Sequence, residues 1–164
     1  MTREIAVRRL GPADIAAMRA LNAIYGDAFE DRETYRADHP DDDWLTRQLG
    51  MQAIILLIAE QGEAIVGGLT AYNLPKLEAA RSEIYLYDLA VDARHRRHGI
   101  ATALIGELQH IAAETGAWAV FVQADHGDDS AVALYTKLGV REDVMHFDLP
   151  PRPRGRGDES GTSP

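Results

Sequence analysis

The chain has 164 residues, a formal net charge of −9 at pH 7 and no cysteine. The length suits one domain with its own hydrophobic core, and the lack of cysteine excludes disulfides, thiolate metal sites and a cysteine nucleophile. The negative charge argues against nucleic acid or an anionic membrane as a partner and suits a cationic small molecule. Neither a signal peptide nor a membrane-spanning run is recognisable, so we expect a cytoplasmic protein.

The first half of the chain predicts a strand, two helical regions and a β-hairpin. Apolar periodicity and turn signals place these elements at Glu4–Arg9 (strand), from Gly11-Pro12-Ala13-Asp14 onward (helix), Thr34–Leu49 (helical region), and Ala53–Glu60 with Ala64–Tyr72 (hairpin through Gln61-Gly62). The run Asp41-Asp42-Asp43 is well placed to begin the last part of the second helical region.

The second half alternates strands and helices. The predicted elements are Glu83–Val91 (strand), Gly99–Thr115 (helix), Trp118–Ala124 (strand), Ser130–Leu138 (helix) and Val144–Leu149 (strand). The whole order indicates an α/β (α+β) fold, in which a mixed sheet carries helices on both faces. Residues 1–149 are predicted to form one domain. Residues 150–164 are rich in Pro, Gly, Ser and Arg and are predicted to be a disordered tail.

The sharpest motif joins the strand that ends at Val91 to the next helix. The sequence Arg96-Arg97-His98-Gly99-Ile100-Ala101 opens this helix. Backbone N–H groups at a helix start point in one direction and favour an anion, and small residues let a pyrophosphate approach the backbone. The spacing fits neither a Walker loop nor a dinucleotide-binding GxGxxG motif. The alternative is an ordinary helix start with solvated arginines.

These residues resemble the coenzyme A loop of the GNAT superfamily of N-acetyltransferases. Arg96, Gly99 and Ala101 occupy the fixed positions of its Arg/Gln-x-x-Gly-x-Gly/Ala pattern, and residues 128–140, DDSAVALYTKLGV, resemble its second signature. Asp128 and Val140 replace the Asn and Phe of that signature. The resemblance implies the GNAT fold with a mostly antiparallel sheet, acetyl-CoA as cosubstrate, an amine acceptor and no metal. Because members of the family are often dimers, it leaves a homodimer open.

Longer segments of the sequence narrow the resemblance to one branch of this superfamily. SEIYLYDLAV and VQADHGDDSAVALYTKLGVREDVMHFD are similar to the type I aminoglycoside 3-N-acetyltransferases. This similarity implies a cationic aminoglycoside of the gentamicin type as acceptor, and antibiotic resistance as the outcome. Two alternatives stay open: the same fold acting on a peptide N-terminus, lysine or polyamine, and a non-catalytic module that binds coenzyme A.

The resemblance also implies the residues that contact the cosubstrate. Coenzyme A would be held by Arg96, Arg97, His98, Gly99, Ile100, Ala101, Thr102 and Asp128. The main chain at Leu89, Ala90 and Val91, together with that near Val122–Ala124, would supply hydrogen-bond donors to the oxyanion.

Acyl transfer from a thioester also needs a proton donor and a proton acceptor. We expect Tyr135 to protonate the leaving thiolate, with a plain core position as its alternative. Asp88 interrupts an apolar strand and is the candidate base, either directly or through water. Its alternative is a structural pairing with an arginine or a backbone amide, and its rivals as base are Glu83, Asp125 and Asp128.

The acceptor pocket is expected to be acidic, because carboxylates bind and orient ammonium groups. The candidates are Asp27, Glu30 and Asp31 after the first helix, and Asp125, Asp128 and Asp129 in the GDD region. Each of them could instead be a solvated surface residue. His126 could shuttle a proton beside this pocket, although a surface role is the simpler interpretation. The histidines show no metal-ligand spacing, so no metal site is expected.

Overall fold

The computed structural model of this chain describes residues 4–37 and 39–153. It forms two compact units, of which the first ends at Asp128 and the second begins at Asp129. Most of the predicted tail, residues 154–164, lies outside the described residues, so both the tail and the single domain over residues 1–149 stay predictions. Within the described ranges, no helix is long and apolar enough to cross a membrane.

The first unit contains five strands, three α-helices and two short helical turns. These are β1 Ile5–Arg9, α1 Ile15–Ala28, a π-helical turn Glu33–Ala37, α2 Asp42–Leu49, β2 Ile54–Gln61, β3 Ala64–Pro75, β4 Ser82–Val91, a 3₁₀ turn Ala93–His95, α3 Ile100–Thr115 and β5 Ala117–Val122. The predicted types and order are confirmed throughout this unit, and most ends agree within two residues.

The predicted helical region Thr34–Leu49 is divided into the π-helical turn and α2. Pro40 explains the break, because a proline disfavours the helical conformation of the residue before it. The Asp41 carboxylate then accepts a hydrogen bond from the backbone N–H of Trp44 at 2.7 Å. This cap starts α2 where the acidic run predicted a helix start.

The five strands form one sheet in the order β1-β2-β3-β4-β5. The first four strands pair antiparallel, whereas β4 and β5 pair parallel and are connected by α3. A parallel pair needs such a crossover connection. The predicted mixed, mostly antiparallel sheet is therefore confirmed.

Helices cover both faces of this sheet. On one face, Leu56 and Ile58 of β2 pack with buried residues of α1 and α2. Leu57 is also fully buried, and because successive strand residues point to opposite faces, it faces the other side. There α3 packs across the sheet with buried Leu104 and Leu108 on its apolar stripe.

Two adjacent glycines in β3 allow close packing, Gly68 against α1 and β2 and Gly67 against β4. A Cβ atom added at Gly68 would lie 2.6 Å from Cδ1 of Leu21 and 2.6 Å from the carbonyl oxygen of Leu57. A Cβ atom at Gly67 would lie 2.8 Å from the carbonyl oxygen of Ala90. The packing of α1 on β3 therefore depends on the absence of a side chain at Gly68, and the close pairing of β3 with β4 on its absence at Gly67.

The second unit contains α4, Asp129–Leu138, which starts one residue before the prediction. Residues 139–153 form no helix or strand, so the predicted strand Val144–Leu149 is wrong. Val144 and Phe147 are more than two-thirds exposed. Alternating apolar residues become a strand only when they pair with another strand, and the described part of this unit contains none.

Candidate functional site

The ladder between the two parallel strands of the first unit ends before β4 does. The pairing between β4 and β5 ends at Leu86 and Val122. On its other side, β4 stays paired with β3 as far as Val91 and Gly67. After Leu86, the edge of β4 that faced β5 is therefore unpaired with β5, and we call this part of the strand its released end. The predicted main-chain donors Leu89–Val91 lie in the released end.

A β-bulge in β4 starts at the same point. The register with β3 passes from Leu86–Ala71 directly to Asp88–Thr70, so Tyr87 is an extra residue in β4. Bulges re-aim side chains and interrupt pairing, and they occur often beside active sites. Here the bulge places Asp88 opposite Thr70 on β3.

Asp88 is half-buried and contacts a tyrosine from the segment after α1. The Tyr35 hydroxyl donates a hydrogen bond to Oδ1 of Asp88 at 3.5 Å. Burial raises the pKa of Asp88 above its ordinary value of 3.8, and the hydrogen bond from Tyr35 opposes this rise. Among the described residues, the side-chain partner of Asp88 is therefore a phenol rather than the arginine or backbone amide of the alternative.

Two groups of aromatic side chains lie near Asp88, and the sequence did not reveal either of them. The ring of Tyr35 contacts those of Tyr25 and Phe29 at centroid distances of 5.8 and 5.7 Å. A second row joins the rings of Tyr72, Tyr87, Tyr85 and Phe121 at centroid distances of 5.8, 5.4 and 4.8 Å. The strand register would have revealed this second row, because Tyr72 pairs directly with Tyr85.

The start of α3 has its backbone amides available. No side chain among the described residues caps this helix, and Gly99, at its N-cap position, adopts a left-handed φ of 77°. A Cβ atom at Gly99 would meet nothing within 4 Å, so the space in front of the helix is open. Ile100 is buried and anchors the first turn, whereas Thr102 is exposed. Uncapped amides in open space are a suitable site for an anion.

The arginines of the preceding loop differ in their contacts. Arg94 forms a two-pronged ion pair with Asp92, which strongly lowers the pKa of that carboxyl. Exposed Arg96 donates from Nε to the carbonyl oxygen of Val91 at 3.2 Å, and exposed Arg97 adopts a left-handed φ of 64°. His98 is exposed and contacts the carbonyl oxygen of His95 through Nδ1 at 3.0 Å. The Arg96 contact joins the helix-start loop to the end of β4.

A cavity of about 290 Å³ lies between α1 and this loop. It is lined by Ile24, Asp27, Ala28, Val91, Asp92, Ala93, Arg94 and Arg96. Val91 and Arg96 belong to the predicted cosubstrate contacts, and Asp27 is one of the predicted acceptor carboxylates. Asp27 also pairs with Arg32 at 2.8 Å. Elements that are distant in sequence thus form one cleft at the end of β4.

The other candidate residues of the first unit lie in exposed turns. Asp125, His126 and Asp128 are exposed after β5, where the N–H of Asp128 donates to the carbonyl oxygen of Asp125 at 3.2 Å. Glu30 is exposed after α1 and adopts a left-handed φ of 55°. Asp31 accepts a hydrogen bond from the N–H of Thr34.

The remaining candidate residues lie on β4 and in the second unit. Glu83 pairs with Arg81 at 3.3 Å, which makes it a weaker candidate base than Asp88. In the second unit, Asp129 begins α4 and Tyr135 lies partly buried on it. Across residues 4–37 and 39–153, no cluster of three or more His, Cys, Asp or Glu side chains could hold a metal.

Comparisons with known proteins agree with the motif. A family model described as Acetyltransferase (GNAT) family matches residues 18–140. The chain is 49% identical to the solved aminoglycoside acetyltransferase HMB0005 from an uncultured soil metagenomic sample, with a TM-score of 0.89 over 91% of this chain and 99% of that one. It is 31% identical to meta-AAC0020, an aminoglycoside acetyltransferase of similar source solved with sisomicin, with a TM-score of 0.84 over 90% of this chain and 97% of that one.

Curated relatives are more distant. N-acetyltransferase 8B of Rattus norvegicus and N-acetyltransferase 8 of Homo sapiens are each 31% identical over 90 residues. The match covers 55% of this chain and 40% of either relative, so the chain spans about two-fifths of their length. The family model covers most of the chain, and the fold matches solved acetyltransferases over nearly all of it. The chain therefore belongs to the GNAT family of acetyltransferases.

Proposed function

We propose that this chain transfers the acetyl group of acetyl-CoA to the 3-amino group of the deoxystreptamine ring of gentamicin-type aminoglycosides, and so confers resistance. The observation that carries the proposal is the released end of β4, which bears Asp88 and leads into the uncapped start of α3. The similarity to two solved aminoglycoside acetyltransferases supports this choice of acceptor.

The loop before α3 fits the diphosphate of coenzyme A. The amides of Ile100, Ala101 and Thr102 are the first three of the helix and lack a side-chain cap among the described residues. The guanidinium groups of Arg96 and Arg97 add positive charge, and the open space at Gly99 leaves room for phosphate oxygens. When bound, acetyl-CoA supplies the acetyl group as a thioester.

The main chain of Leu89–Val91 supplies hydrogen-bond donors to the oxygen of the thioester carbonyl. This oxygen becomes negatively charged when the amine attacks. Donors fixed in a released strand need no reorganisation, which is the condition for strong electrostatic stabilisation. Because β5 no longer pairs with β4 there, the N–H groups on the β4 edge that faces away from β3 are not occupied by a ladder, whereas those on the other edge pair with β3.

Asp88 accepts the proton of the acceptor amine. Its half-buried position raises its pKa, which makes it a better base than an exposed aspartate. Tyr87 directly precedes Asp88 in the chain, and its side chain is 60% exposed. An exposed aromatic face can bind an ammonium group.

Tyr135 protonates the leaving thiolate, because a phenol remains protonated at neutral pH. Asp128 contacts the pantetheine arm, and Glu30, Asp125 and Asp129 bind ammonium groups of the sugar. These assignments follow the family signature and the acidity of the segments, and site-directed variants test each of them.

A thiol-release assay over a panel of amines tests the proposal. Gentamicin and sisomicin should release coenzyme A with kcat/KM at least about tenfold above any peptide N-terminus, lysine or polyamine, which corresponds to about 1.4 kcal/mol of discrimination. Gentamicin already acetylated at the 3-amino group is the matched control and should be inert. Better turnover of the other amines would overturn the choice of acceptor. A rise in Tm with acetyl-CoA but no turnover of any amine would indicate a binding module.

A further inference from the structure

We propose that Tyr35 is a positioning residue, whose hydroxyl holds the Asp88 carboxylate in place for proton abstraction from the acceptor amine. The proposal rests on the proposed function, because it takes Asp88 as the base of that reaction. Tyr35 lies outside both family signatures, and no resemblance in the sequence pointed to it.

The contact joins two distant parts of the chain. Tyr35 lies in the π-helical turn after α1, and its hydroxyl donates to Oδ1 of Asp88 on β4 at 3.5 Å, across 53 positions of sequence. In a regular strand, pairing with the neighbouring strand fixes the direction of each side chain. The bulge at Tyr87 interrupts the regular pairing of β4 with β3 immediately before Asp88. An added donor therefore restores a fixed orientation to this carboxylate.

Tyr35 is itself held by a closed set of contacts. Its ring packs edge-on against Tyr25, which is 1% exposed, at a centroid distance of 5.8 Å. The hydroxyl of Tyr25 shares a 3.0 Å hydrogen bond with Oγ1 of Thr70. Thr70 is the β3 partner of Asp88 in the sheet. These contacts form a ring of four residues: Asp88, Tyr35, Tyr25 and Thr70. Each residue contacts or pairs with the next, so one residue cannot move without disturbing its two neighbours in the ring.

The groups that face Asp88 are phenols. Besides Tyr35, the described tyrosines that interact with its charge are Tyr25 of α1, Tyr72 of β3 and Tyr85 of β4. Burial, together with the negative charge of Asp88, raises the pKa of Tyr35 to about 12. Tyr35 therefore stays protonated over the working pH range and acts as a donor to the carboxylate.

The test measures the titration midpoint of the Asp88 carboxyl directly. The full-length chain is labelled with ¹³C at the aspartate Cγ atoms, and its NMR signals are followed as the pH changes. The variant Asp88→Asn identifies which signal belongs to Asp88. In Tyr35→Phe the Asp88 midpoint should move upward by about half to one pH unit, because a donor to the ionised form is lost. The matched control is Tyr85→Phe. The Tyr85 hydroxyl donates to Gln123 rather than to Asp88, and because a phenol is uncharged where a carboxyl titrates, its loss should leave the midpoint in place.

Kinetics then separate positioning from packing. In Tyr35→Phe the acid limb of kcat/KM should move upward with the midpoint, and kcat should fall about three- to tenfold while the KM for acetyl-CoA stays constant. An unchanged Asp88 midpoint in folded Tyr35→Phe would overturn the proposal.

If Tyr35→Phe does not fold, the reciprocal measurement decides. The ¹³Cζ titration of Tyr35 should move toward pH 10 in Asp88→Asn, and an unmoved titration would overturn the proposal. These midpoints need no turnover, so they separate the two proposals. Unmoved midpoints with gentamicin turnover would overturn only the role of Tyr35. Moved midpoints without any aminoglycoside turnover would overturn the proposed function and leave Tyr35 as a hydrogen-bond donor to Asp88 without a role in that reaction.

Discussion

Leu86 of β4 and Val122 of β5 form the last pair between the two parallel strands. Directly after Leu86, Tyr87 bulges out of the register with β3, and Asp88 follows. Two adjacent positions of β4 therefore end one ladder and distort the other. The released edge of β4 and the candidate base both lie at this change in pairing.

Replacing Asp88 with asparagine should remove activity without harming the fold. We expect kcat/KM with gentamicin to fall about 100-fold or more, because an amide accepts no proton. Tyr35 keeps an acceptor in the asparagine Oδ1 atom, so Tm at pH 7 should stay level or rise. Steady-state kinetics and thermal melts check both points. Retained activity together with a lower Tm would assign Asp88 a structural role.

Titration of the Asp88 carboxyl should also contribute to the pH dependence of the free energy of unfolding. Because burial raises the pKa of Asp88 in the folded state above 3.8, the folded chain binds this proton more tightly than the unfolded chain. Its contribution to folding is therefore most favourable at low pH and is lost as pH rises through the folded pKa. Urea melts should show the advantage of Asp88→Asn over the parent shrinking as pH falls through that value. An advantage that grows on acidification would show that the pKa is lowered instead.

Gly99 and Gly106 form a matched pair for the anion site. Both would place a Cβ atom in open space, but only Gly99 has a left-handed φ, of 77°. Gly99→Ala should cost about 1 kcal/mol in unfolding free energy, because alanine is strained at a left-handed φ, and should weaken acetyl-CoA binding about tenfold, because that strain distorts the helix start proposed to bind the diphosphate.

The control variant Gly106→Ala lies within α3 and should stabilise the chain by about 0.5–1 kcal/mol with an unchanged Kd. Calorimetric titration measures both affinities. Equal Kd values for the two variants would remove the helix start from the binding site.

Gly68→Ala tests the packing that brings α1 to the sheet. The new methyl group would lie 2.6 Å from the carbonyl oxygen of Leu57, which is backbone and cannot turn away. We expect a loss of about 1–3 kcal/mol in the free energy of unfolding, as for other overpacked positions. Urea denaturation measures it, and an unchanged midpoint would show that both Leu21 of α1 and the β2 backbone at Leu57 shift to accommodate the methyl group.

Tyr135→Phe separates catalysis from packing on α4. The ring is kept and the hydroxyl is lost, so α4 should fold while kcat falls about 100-fold for want of a proton donor. The Kd for acetyl-CoA should change little. A variant with parental kcat would leave Tyr135 with a packing role only.

Several features of the fold follow from local chemistry and could be predicted. The bounds of α3 follow from Gly99 and Gly116, which both adopt left-handed φ values, of 77° and 73°, at its two ends. The hairpin of β2 and β3 follows from its turn residues, since Gly62 has a φ of 65°. Such signals depend only on the nearest residues, so the sequence is sufficient to locate them.

Features that depend on distant partners escaped prediction. Nothing near Tyr35 in the sequence indicates that it contacts Asp88, because the contact follows from the path of the chain after α1. The bulge at Tyr87 arises from the register with β3, which periodicity alone does not give. The residues Val144–Leu149 alternate like a strand but lack a pairing partner in the described part of their unit.

The position of the acetyl group on the product tests the central claim most directly. The full chain, acetyl-CoA and gentamicin are incubated together, and the product is identified by two-dimensional NMR. We predict a single acetyl group on the 3-nitrogen of deoxystreptamine, formed together with one equivalent of free coenzyme A. An acetyl group on another nitrogen would contradict the proposed position, and unreacted gentamicin beside intact acetyl-CoA would contradict the proposed activity.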